Sequence, residues 1–220
     1  MNKLLKLFFS IPKIIYFNFA YLPLSKALRF PIVLDYKTRI RVQGEIRLPN
    51  TIRCGMIRIG FHKVPVCNEN DRTSIIISKG GILQFDGSAH LGNGSKIHVA
   101  ENARLSLGEN FAISASSAIN CYYCIVFGKD IQFSWNCLVM DSDTHVIYAP
   151  DGRIMNEDKP ITFGDKIWIG CNTTILKGTF LPSNCVVGAN SVLSGKKYKE
   201  NTIIAGNPAK IIKEIGEWKL

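Results

Sequence analysis

The sequence places one histidine, His145, in a short polar stretch whose residue types suit proton transfer. His145 follows Asp141 and Asp143 in the stretch DSDTH, and in an extended chain these three alternate residues point to one side. An imidazole changes its charge near neutral pH, so it can take a proton from a hydroxyl group and return it later. A carboxylate beside the ring can hold it in the required tautomer. We therefore expect His145 to act as a general base.

The two acids of this stretch have roles that the sequence leaves open. One of Asp141 and Asp143 is expected to orient the imidazole and the other to bind the substrate, and Asp143 is a candidate for both roles. Asn156 is a further candidate for binding the substrate, and Asp151 and Arg153 on the same stretch are weaker ones.

The cysteines and the other histidines do not form a pattern that holds a metal or supplies a nucleophile. Seven cysteines are scattered through apolar runs, an odd set that is typical of reduced thiols in the cytoplasm. Cys121 and Cys124 have CxxC spacing, but no second pair completes a four-ligand zinc site. His90 and His98 fall in turns of the repeat and are expected to be structural or exposed. We predict chemistry that uses no metal and no thiol intermediate.

The elements that must position His145 are indicated by an apolar residue at every sixth position. A helix repeats its apolar face about every 3.6 residues and a strand every two, so a period of six indicates neither element alone. The repeat occurs in three sets: Phe85, Leu91, Ile97 and Ala103; Leu107, Ile113, Ile119, Ile125, Ile131 and Cys137; Phe163, Ile169, Ile175, Leu181, Val187 and Leu193.

A six-residue repeat is typical of a solenoid. Three steps, each a short strand and a tight turn, form one coil of about 18 residues, and the sixth-position side chains stack inside a triangular prism of parallel sheets. Gly128, Gly188, Asn172, Asn184 and Asn190 suit the corners, where left-handed backbone is common. Residues 141–160 interrupt the repeat, so we expect a loop that projects from the scaffold and carries His145.

Several motifs in this order resemble the hexapeptide-repeat acyltransferases, which are left-handed parallel β-helix proteins. The resemblance covers roughly residues 75–213, and DSDTH resembles the subgroup that O-acetylates bacterial sugars and surface polysaccharides. The motifs besides the repeat are IWIG at 167–170, ILKG at 175–178, VVGANSVL at 186–193 and AGNPAK at 205–210.

The resemblance implies an acetyl-CoA-dependent O-acetyltransferase that acts on a surface polysaccharide or its precursor. It implies a homotrimer with active sites between subunits, with His145 as general base and the pantetheine arm along the backbone near Gly170 and Ala189. It needs no metal. The other residues to which it assigns the binding of CoA are Trp168, Lys196, Lys197, Pro208 and Lys210, with Lys177 as a weaker candidate.

The first residues and the net charge suggest a second contact. Residues 1–66 hold 12 Lys/Arg and 2 Asp/Glu, so they carry the whole net charge of +10. Residues 1–34 are apolar and aromatic, and Pro12, Pro23 and Pro31 are expected to break any long helix. We expect this segment to lie in a membrane interface with its lysines toward lipid phosphates, or to pack as short helices on the body or on a neighbouring subunit. No nucleic-acid-binding motif accompanies the charge.

These patterns divide the chain into a basic, apolar segment over residues 1–74, an all-β solenoid over 75–213 and a C-terminal cap over 214–220. The apolar spacing from Ile211 to Trp218 predicts a short amphipathic helix that closes the prism. The segment over 1–34 holds no stretch long enough to span a bilayer and no good cleavage site. We therefore expect a cytoplasmic enzyme, at the inner face of the membrane if this segment binds lipid.

Other functions carried by solenoids fit less well. A γ-type carbonic anhydrase needs three histidines around one Zn²⁺, and the spacing of His90, His98 and His145 does not match. A fused nucleotidyltransferase needs an α/β domain, for which the segment before position 75 is too short. A catalytically inactive scaffold and an N-acetyltransferase of an amino sugar stay as alternatives.

Overall fold

The six-residue pattern folds as a three-sided parallel β-helix in the computed structural model. Successive strands pass from sheet A to sheet B to sheet C, and each coil adds one strand to each sheet. The structure describes residues 3–68 and 70–219, so the predicted segments 1–34 and 214–220 are each described without their terminal residues. Outside the described residues lie Met1, Asn2, Glu69 and Leu220 and the side chains of Lys3 and Leu4.

Sheet A contains nine strands in the described part of the chain, eight of them parallel and the last antiparallel. Its strands, numbered in chain order through the whole molecule, are β1 (Ile32–Leu34), β4 (Ile57–Ile59), β7 (Ala89–Leu91), β10 (Phe111–Ala115), β13 (Ile131–Trp135), β16 (Ile167–Ile169), β19 (Cys185–Val187), β21 (Thr202–Gly206) and β22 (Ala209–Glu214).

Sheets B and C contain seven and six strands among the described residues, and all of these strands are parallel. Those of sheet B are β2 (Arg39–Val42), β5 (Ser74–Ile77), β8 (Lys96–Val99), β11 (Ala118–Cys121), β14 (Leu138–Met140), β17 (Thr174–Leu176) and β20 (Val192–Leu193). Those of sheet C are β3 (Glu45–Arg47), β6 (Ile82–Phe85), β9 (Arg104–Leu107), β12 (Cys124–Phe127), β15 (Ile161–Phe163) and β18 (Phe180–Leu181).

The sixth-position residues fill the inside of the prism, as predicted. Each of the sixteen, from Phe85 to Leu193, is no more than 3% exposed. In the last coils Ile169 lies beside Val187, three six-residue steps further along the chain, as the repeat requires. In the middle coils Ile113 lies beside Phe133, two positions beyond the place that the repeat requires, because β10 is longer and has three inward side chains. The prediction that every coil consists of three equal steps is therefore wrong for the middle of the protein.

The corners use asparagine and glycine for two different reasons. Asn172, Asn184 and Asn190 have φ values of 57°, 54° and 56°, the left-handed backbone that was predicted for them. The φ of Gly128 does not lie in the left-handed region. A Cβ at Gly128 would lie 2.4 Å from Gly164 O on the next coil, so this corner needs glycine for space and not for backbone freedom.

Two helices close the N-terminal end of the prism, α1 (Lys3–Tyr21) and α2 (Leu24–Ala27). The expectation that Pro12 breaks the helix is wrong, because α1 continues through it. Proline removes only one backbone hydrogen bond there, and its ring lies on the exposed side of α1. Pro23 does separate α1 from α2. The Asn18 side chain bonds both the N–H and the carbonyl of Ile32, and so replaces a preceding strand beside β1. Neither described helix is long and apolar enough to cross a membrane.

The solenoid begins at Ile32 and not at residue 75. Ile32 lies beside Ile57 in register, and Ile57 lies beside Ala89. The connections over 48–56 and 60–73 are longer than the later corners, so they hide the six-residue period in this part of the sequence. The predicted segment over 1–74 is therefore a helical cap followed by the first strands of the β-helix.

The predicted C-terminal helix is instead strand β22, which pairs antiparallel with β21. Strand β21 is the last parallel strand of sheet A, and β22 supplies partners to its open edge. Ile211 and Ile212 are 46% and 64% exposed, so their spacing does not mark a buried helix face. The tail then folds back on sheet A, where Trp218 Nε1 donates to Lys166 O at 3.0 Å and the Trp218 ring lies 6.4 Å from that of Trp168.

Candidate functional site

The loop over residues 141–160 leaves the prism between β14 and β15, at the edge where sheet B meets sheet C. It folds as a small hairpin, in which Tyr148 and Ile154 form an antiparallel bridge. A single chain leaves an apolar surface beside His145. Five apolar side chains of this hairpin are at least half exposed: Val146, Ile147, Tyr148, Ile154 and Met155.

Asp141 anchors the start of this loop in the protein interior. It is fully buried, and its carboxylate accepts hydrogen bonds from the backbone N–H groups of Tyr122, Tyr123 and Cys124 at 2.7, 3.0 and 2.7 Å. These three donors balance the buried charge and hold the preceding corner beneath the loop. The predictions that Asp141 binds the substrate or orients His145 are therefore wrong, because no part of its carboxylate reaches solvent.

Asp143 is held by Lys177, which lies on the next coil. Lys177 Nζ is 2.6 Å from Asp143 Oδ2, and Asn156 Nδ2 donates to the same oxygen at 2.8 Å. The hydrogen bonds from Lys177 and then Asn156 hold the pKa of Asp143 below its ordinary value. The Asp143 side chain is 44% exposed. It therefore stays charged at neutral pH and keeps one side open to a ligand.

Asn156 positions the backbone at His145. Its Nδ2 donates to His145 O at 2.7 Å, and its Oδ1 accepts the Ile147 N–H at 2.7 Å. Both ends of the amide are thus used inside the loop, which makes Asn156 a positioning residue. The His145 imidazole is exposed, and among the described residues no side chain hydrogen-bonds to it. The predicted contact between an acid and this ring is not made among the described residues; Asn156 instead links the Asp143 carboxylate to the backbone carbonyl of His145.

Gly170, Ala189 and Pro208 lie along a different edge, where sheet A meets sheet B. Gly170 follows β16, Ala189 follows β19, and Pro208 lies in the turn between β21 and β22. These corners stack closely: a Cβ on Gly170 would lie 2.6 Å from Ala189 N, and Ser191 Oγ accepts the Gly206 N–H at 3.1 Å. Ala189 is exposed, and its N–H has no acceptor among the described residues. This edge thus offers a backbone donor to an extended ligand that carries amide groups.

Trp168 stands on the outer face of sheet A beside this edge. It is 46% exposed, and its Nε1 donates to Ser134 Oγ at 3.3 Å. Trp168 and Trp218 line an open cavity of about 240 Å³. Sequence reasoning did not place Trp218 here, because it assigned the terminal residues to a helix.

The lysines predicted to bind CoA phosphates separate into two places. Lys196 and Lys197 are exposed at the edge between sheets B and C, on the same side of the prism as the loop. Lys210 is exposed on β22, two residues after Pro208. Lys177 is held by Asp143. The structure therefore brings only Lys210 to the edge that carries the other predicted donor contacts.

Two of the thiols lie beneath parts of this site: Cys121 Sγ is 3.7 Å from Asp141 Oδ2, and Cys137 Sγ donates to Gly170 O at 3.2 Å. All seven cysteines are free. Burial raises the pKa of Cys121, and raises that of Cys137 to about 11, so neither thiol is a ready nucleophile. His90 lies on sheet A and His98 on sheet B. Among the residues that the structure describes, no three metal-ligating side chains come together.

Sequence reasoning missed two tyrosines at the corner below the loop. Tyr122 and Tyr123 are 37% and 54% exposed, and the Asp141 carboxylate fixes their backbone. The Tyr122 ring lies 5.4 Å from the ring of His98. Exposed aromatic rings give a flat apolar surface with a polar tip, here at the corner that Asp141 ties to the start of the loop. The signal was present as two adjacent aromatic residues, CYYC, at a corner of the repeat.

Known proteins share both the sequence and the architecture. No family model matches the chain. The chain is 49% identical over 177 residues to "Putative lipopolysaccharide biosynthesis O-acetyl transferase WbbJ" of Escherichia coli (strain K12), a match that covers 73% of this chain and 89% of that protein. It is 36% identical over 137 residues to the polysialic acid O-acetyltransferase of Neisseria meningitidis, covering 62% of this chain and 54% of that protein.

A solved structure extends the likeness to the fold. The crystal structure of the polySia specific acetyltransferase NeuO superposes with a TM-score of 0.69 over 86% of this chain and 82% of that chain, at 20% identity. This likeness shows the left-handed β-helix fold and nothing finer. The identity to the Escherichia coli protein over most of its length carries the classification. The chain belongs to the hexapeptide-repeat acyltransferases, in the subgroup of sugar and polysaccharide O-acetyltransferases.

Proposed function

We propose that this enzyme transfers the acetyl group of acetyl-CoA to a hydroxyl group of a sugar in a bacterial surface polysaccharide or its precursor. The observation that carries the proposal is the 49% identity to a protein named for lipopolysaccharide O-acetylation. It is supported by an exposed histidine on a loop whose own contacts hold it in place.

His145 acts as the general base. Its imidazole takes the proton of the sugar hydroxyl while that oxygen attacks the acetyl carbonyl, and a tetrahedral intermediate forms. The intermediate collapses with loss of the CoA thiolate, and the imidazolium returns the proton to the sulfur. The products are the sugar ester and free CoA, so the step needs no metal and no thiol of the protein. The loop contacts of Asn156 and Lys177 support this role, because they fix the backbone that carries the ring.

The donor lies along the edge between sheets A and B. The unpaired N–H of Ala189 and the close stacking at Gly170 suit an extended arm with amide carbonyls. Trp168 and Pro208 flank that arm, and Lys210 stands where a phosphate group would follow. Lys196 and Lys197 lie at the other edge, so they reach the donor only from a second chain.

The active site is completed by a second copy of the chain. His145 projects from the edge between sheets B and C, whereas Gly170 and Ala189 lie at the edge between sheets A and B. Two edges of one prism do not face each other, but prisms packed side by side bring unlike edges together. The half-exposed apolar hairpin beside His145 also needs a cover. We therefore infer a homotrimer in which the loop of one chain meets the donor edge of the next.

The acceptor binds between the loop and the corner below it. The open side of Asp143 suits sugar hydroxyls, and the exposed ring of Tyr123 suits the face of a sugar. The acetyl group and the oxygen acceptor follow from the names of the relatives. An amino sugar as acceptor is the closest alternative, and the same assay separates the two.

The experiment measures thiol release from acetyl-CoA with a panel of acceptor sugars, amino sugars and glycan extracts, for the wild type and for His145→Ala. We expect release that depends on one hydroxyl acceptor and that falls by about 10² to 10⁴ in the variant, the usual contribution of a general base. Cys54→Ala is the matched control, because Cys54 is exposed and lies outside the site. It should keep wild-type activity.

Three results would contradict parts of the proposal. Full activity in His145→Ala would remove the histidine as base. A preference for amines would replace O-acetylation by N-acetylation. The absence of both CoA binding and release would favour the inactive scaffold. The two-chain site is tested by mixing two inactive variants, His145→Ala and Ala189→Pro: mixed trimers should regain activity, and no recovery would place both residues in a site formed by one chain.

A further inference from the structure

The outer face of α1 is apolar along its described length. From residue 5 to residue 20 the only charged side chains are Lys6 and Lys13. Folded proteins rarely leave so many large apolar side chains together in water. Eight on α1 are 43–67% exposed, and two more in the following residues are 61–64% exposed: Leu5, Leu7, Phe8, Phe9, Ile11, Ile15, Tyr16 and Phe19, then Leu24 and Leu28.

Lys6 and Lys13, the charged side chains of α1 that the structure describes, are turned toward the prism, so no described charge interrupts the outer face. Lys6 Nζ lies 2.6 Å from Asp35 Oδ2, and Lys13 Nζ donates to Tyr36 O at 2.5 Å. Burial, followed by repulsion from nearby cations, lowers the pKa of Lys6 to about 8. The expectation that the lysines face lipid phosphates is therefore wrong for these two. Their contacts instead fix which face of α1 points outward.

Other cations surround the apolar face. Lys37 and Phe9 contact the same tyrosine ring. Arg29 precedes Phe30, whose ring packs on that of Phe19. Arg53 lies two residues before Gly55, whose N–H donates to Phe30 O. Lys37, Arg29 and Arg53 are exposed and make no ion pair with a described acid. We call these three residues the basic rim.

We propose that this end of the molecule binds the surface of an anionic phospholipid bilayer, with the outer face of α1 in the interface and the basic rim at the lipid phosphates. Such a surface matches both features, since apolar side chains enter the headgroup boundary while cations stay at its anionic groups. The charge opposes a second copy that docks by the same end. Residues 1–66 hold 12 Lys/Arg and 2 Asp/Glu, of which Asp35 is buried against Lys6 and Glu45 is paired with Arg47.

The test is co-sedimentation of the full-length protein with vesicles of phosphatidylcholine alone or of phosphatidylcholine mixed with phosphatidylglycerol. Phe8→Gln/Leu24→Gln removes apolar contact from side chains that are 67% and 64% exposed. Its matched control is Ile211→Gln/Ile212→Gln on β22, at the opposite end of the prism. Arg29→Gln/Arg53→Gln removes part of the basic rim, and Lys129→Gln/Lys213→Gln is its control with the same change of charge.

We expect the wild type to bind the mixed vesicles and to bind phosphatidylcholine alone more weakly. Each α1 or rim variant should reduce partitioning by about tenfold or more, and both controls should bind like the wild type. High salt should weaken binding through the rim and leave the apolar part. All changed side chains are exposed, and unchanged thermal unfolding checks that each variant is folded.

Three outcomes would overturn the proposal. In the first, the wild type would remain in the supernatant when mixed vesicles are present. In the second, Phe8→Gln/Leu24→Gln would bind the mixed vesicles as well as the wild type does. In the third, light scattering would show that Phe8→Gln/Leu24→Gln changes the mass of the assembly, which would assign the face to a contact between copies. None of these outcomes depends on acetyl transfer, so the proposal stands or fails separately from the proposed reaction.

Discussion

Asn in place of Asp141 should destabilise the protein without removing a catalytic contact. The Asp141 carboxylate is fully buried and accepts three backbone N–H groups, one on Oδ1 and two on Oδ2. An asparagine side chain keeps the shape but has one oxygen. If this oxygen takes the place of Oδ2, the Tyr122 N–H faces an amide NH₂ and is left unsatisfied, and the other two hydrogen bonds lose the charge that strengthens them.

The size of the loss follows from these contacts. One buried donor left without a partner costs about 1–3 kcal/mol, and two charge-assisted bonds that become neutral lose together about 1–2 kcal/mol. The sum is roughly 2–5 kcal/mol. For a chain of this size each kcal/mol lowers the melting temperature by about 2–4 °C, so the midpoint should fall by roughly 4–20 °C.

The assay compares Asp141→Asn with Asp143→Asn. Thermal unfolding gives the midpoint, and thiol release from acetyl-CoA, measured well below the lower midpoint, gives kcat and KM for the acceptor. Asp143→Asn breaks an ion pair whose acid is 44% exposed and keeps a side-chain oxygen that can accept from Lys177, so its midpoint should move less than that of Asp141→Asn. Asp141→Asn should keep the KM of the wild type for the acceptor. An unchanged midpoint combined with a raised KM would refute this reasoning, because it would return Asp141 to the substrate.

Three further outcomes follow from the structure. Gly128→Ala should lower the melting temperature by several degrees, because its Cβ would lie 2.4 Å from a carbonyl oxygen of the next coil, and a loss of stability of about 1–3 kcal/mol is typical of such crowding. Lys177→Met should lower kcat and leave the KM for acetyl-CoA nearly unchanged, because Lys177 contacts the loop and not the proposed donor edge. The contact with Lys177 keeps the pKa of Asp143 in the folded protein below its unfolded value, so the ion pair is fully present above the ordinary pKa range of aspartate and is lost as the pH falls through the lowered value. The activity of the wild type should therefore resemble that of the variant only under strong acid. A maleimide at mildly alkaline pH should label Cys54, which is exposed, and leave Cys121 unlabelled in the folded enzyme, as mass spectrometry of the peptides would show; rapid labelling of Cys121 would contradict the buried, raised-pKa thiol.

The repeat could be predicted wherever short strands and tight corners set a local period. Within each of the three sets an inward side chain follows the one before it by six residues, and all sixteen predicted positions are buried. The first coils could not be found in this way. Their connections over 48–56 and 60–73 insert extra residues between strands. Ile57 and Ala89 therefore pair in neighbouring strands although they are not separated by a multiple of six residues.

The C-terminal strand was missed because the spacing of the apolar residues from Ile211 to Trp218 fits a helix. In the folded chain, however, this segment lies beside the last parallel strand of sheet A, whose edge has unpaired backbone groups. Backbone pairing with β21 satisfies that edge. Tertiary context therefore overrides the helical spacing. The N-terminal lysines were misplaced for a similar reason: the sequence shows the charge of Lys6 but not the buried Asp35 that receives it.

The exposed loop position of His145 was predictable from the sequence, and the burial of Asp141 was not. His145 is found because its loop interrupts the repeat. The side chain of Asp141 was predicted to lie on the same side as His145, because side chains were assumed to alternate along the loop from Asp141 to His145. The correct alternation comes from the strand before it, in which Cys137, Val139 and then Asp141 all point inward and are 2%, 1% and 0% exposed. Counting by two from Cys137 would have predicted a buried carboxylate and hence a structural role.

The same counting shows why one chain is not enough. In the last full coils three six-residue steps complete one coil, so Gly170 and Gly188 must share one edge, and Lys177 and Gly195 must share another. The loop with His145 is tied to the second edge through Lys177, and the candidate donor contacts lie on the first. No change of loop conformation alters which strands stand between those edges. In one chain the proposed donor contacts and the proposed base therefore lie on different edges, which is the reason for proposing that a second copy completes the site at the exposed hairpin beside His145.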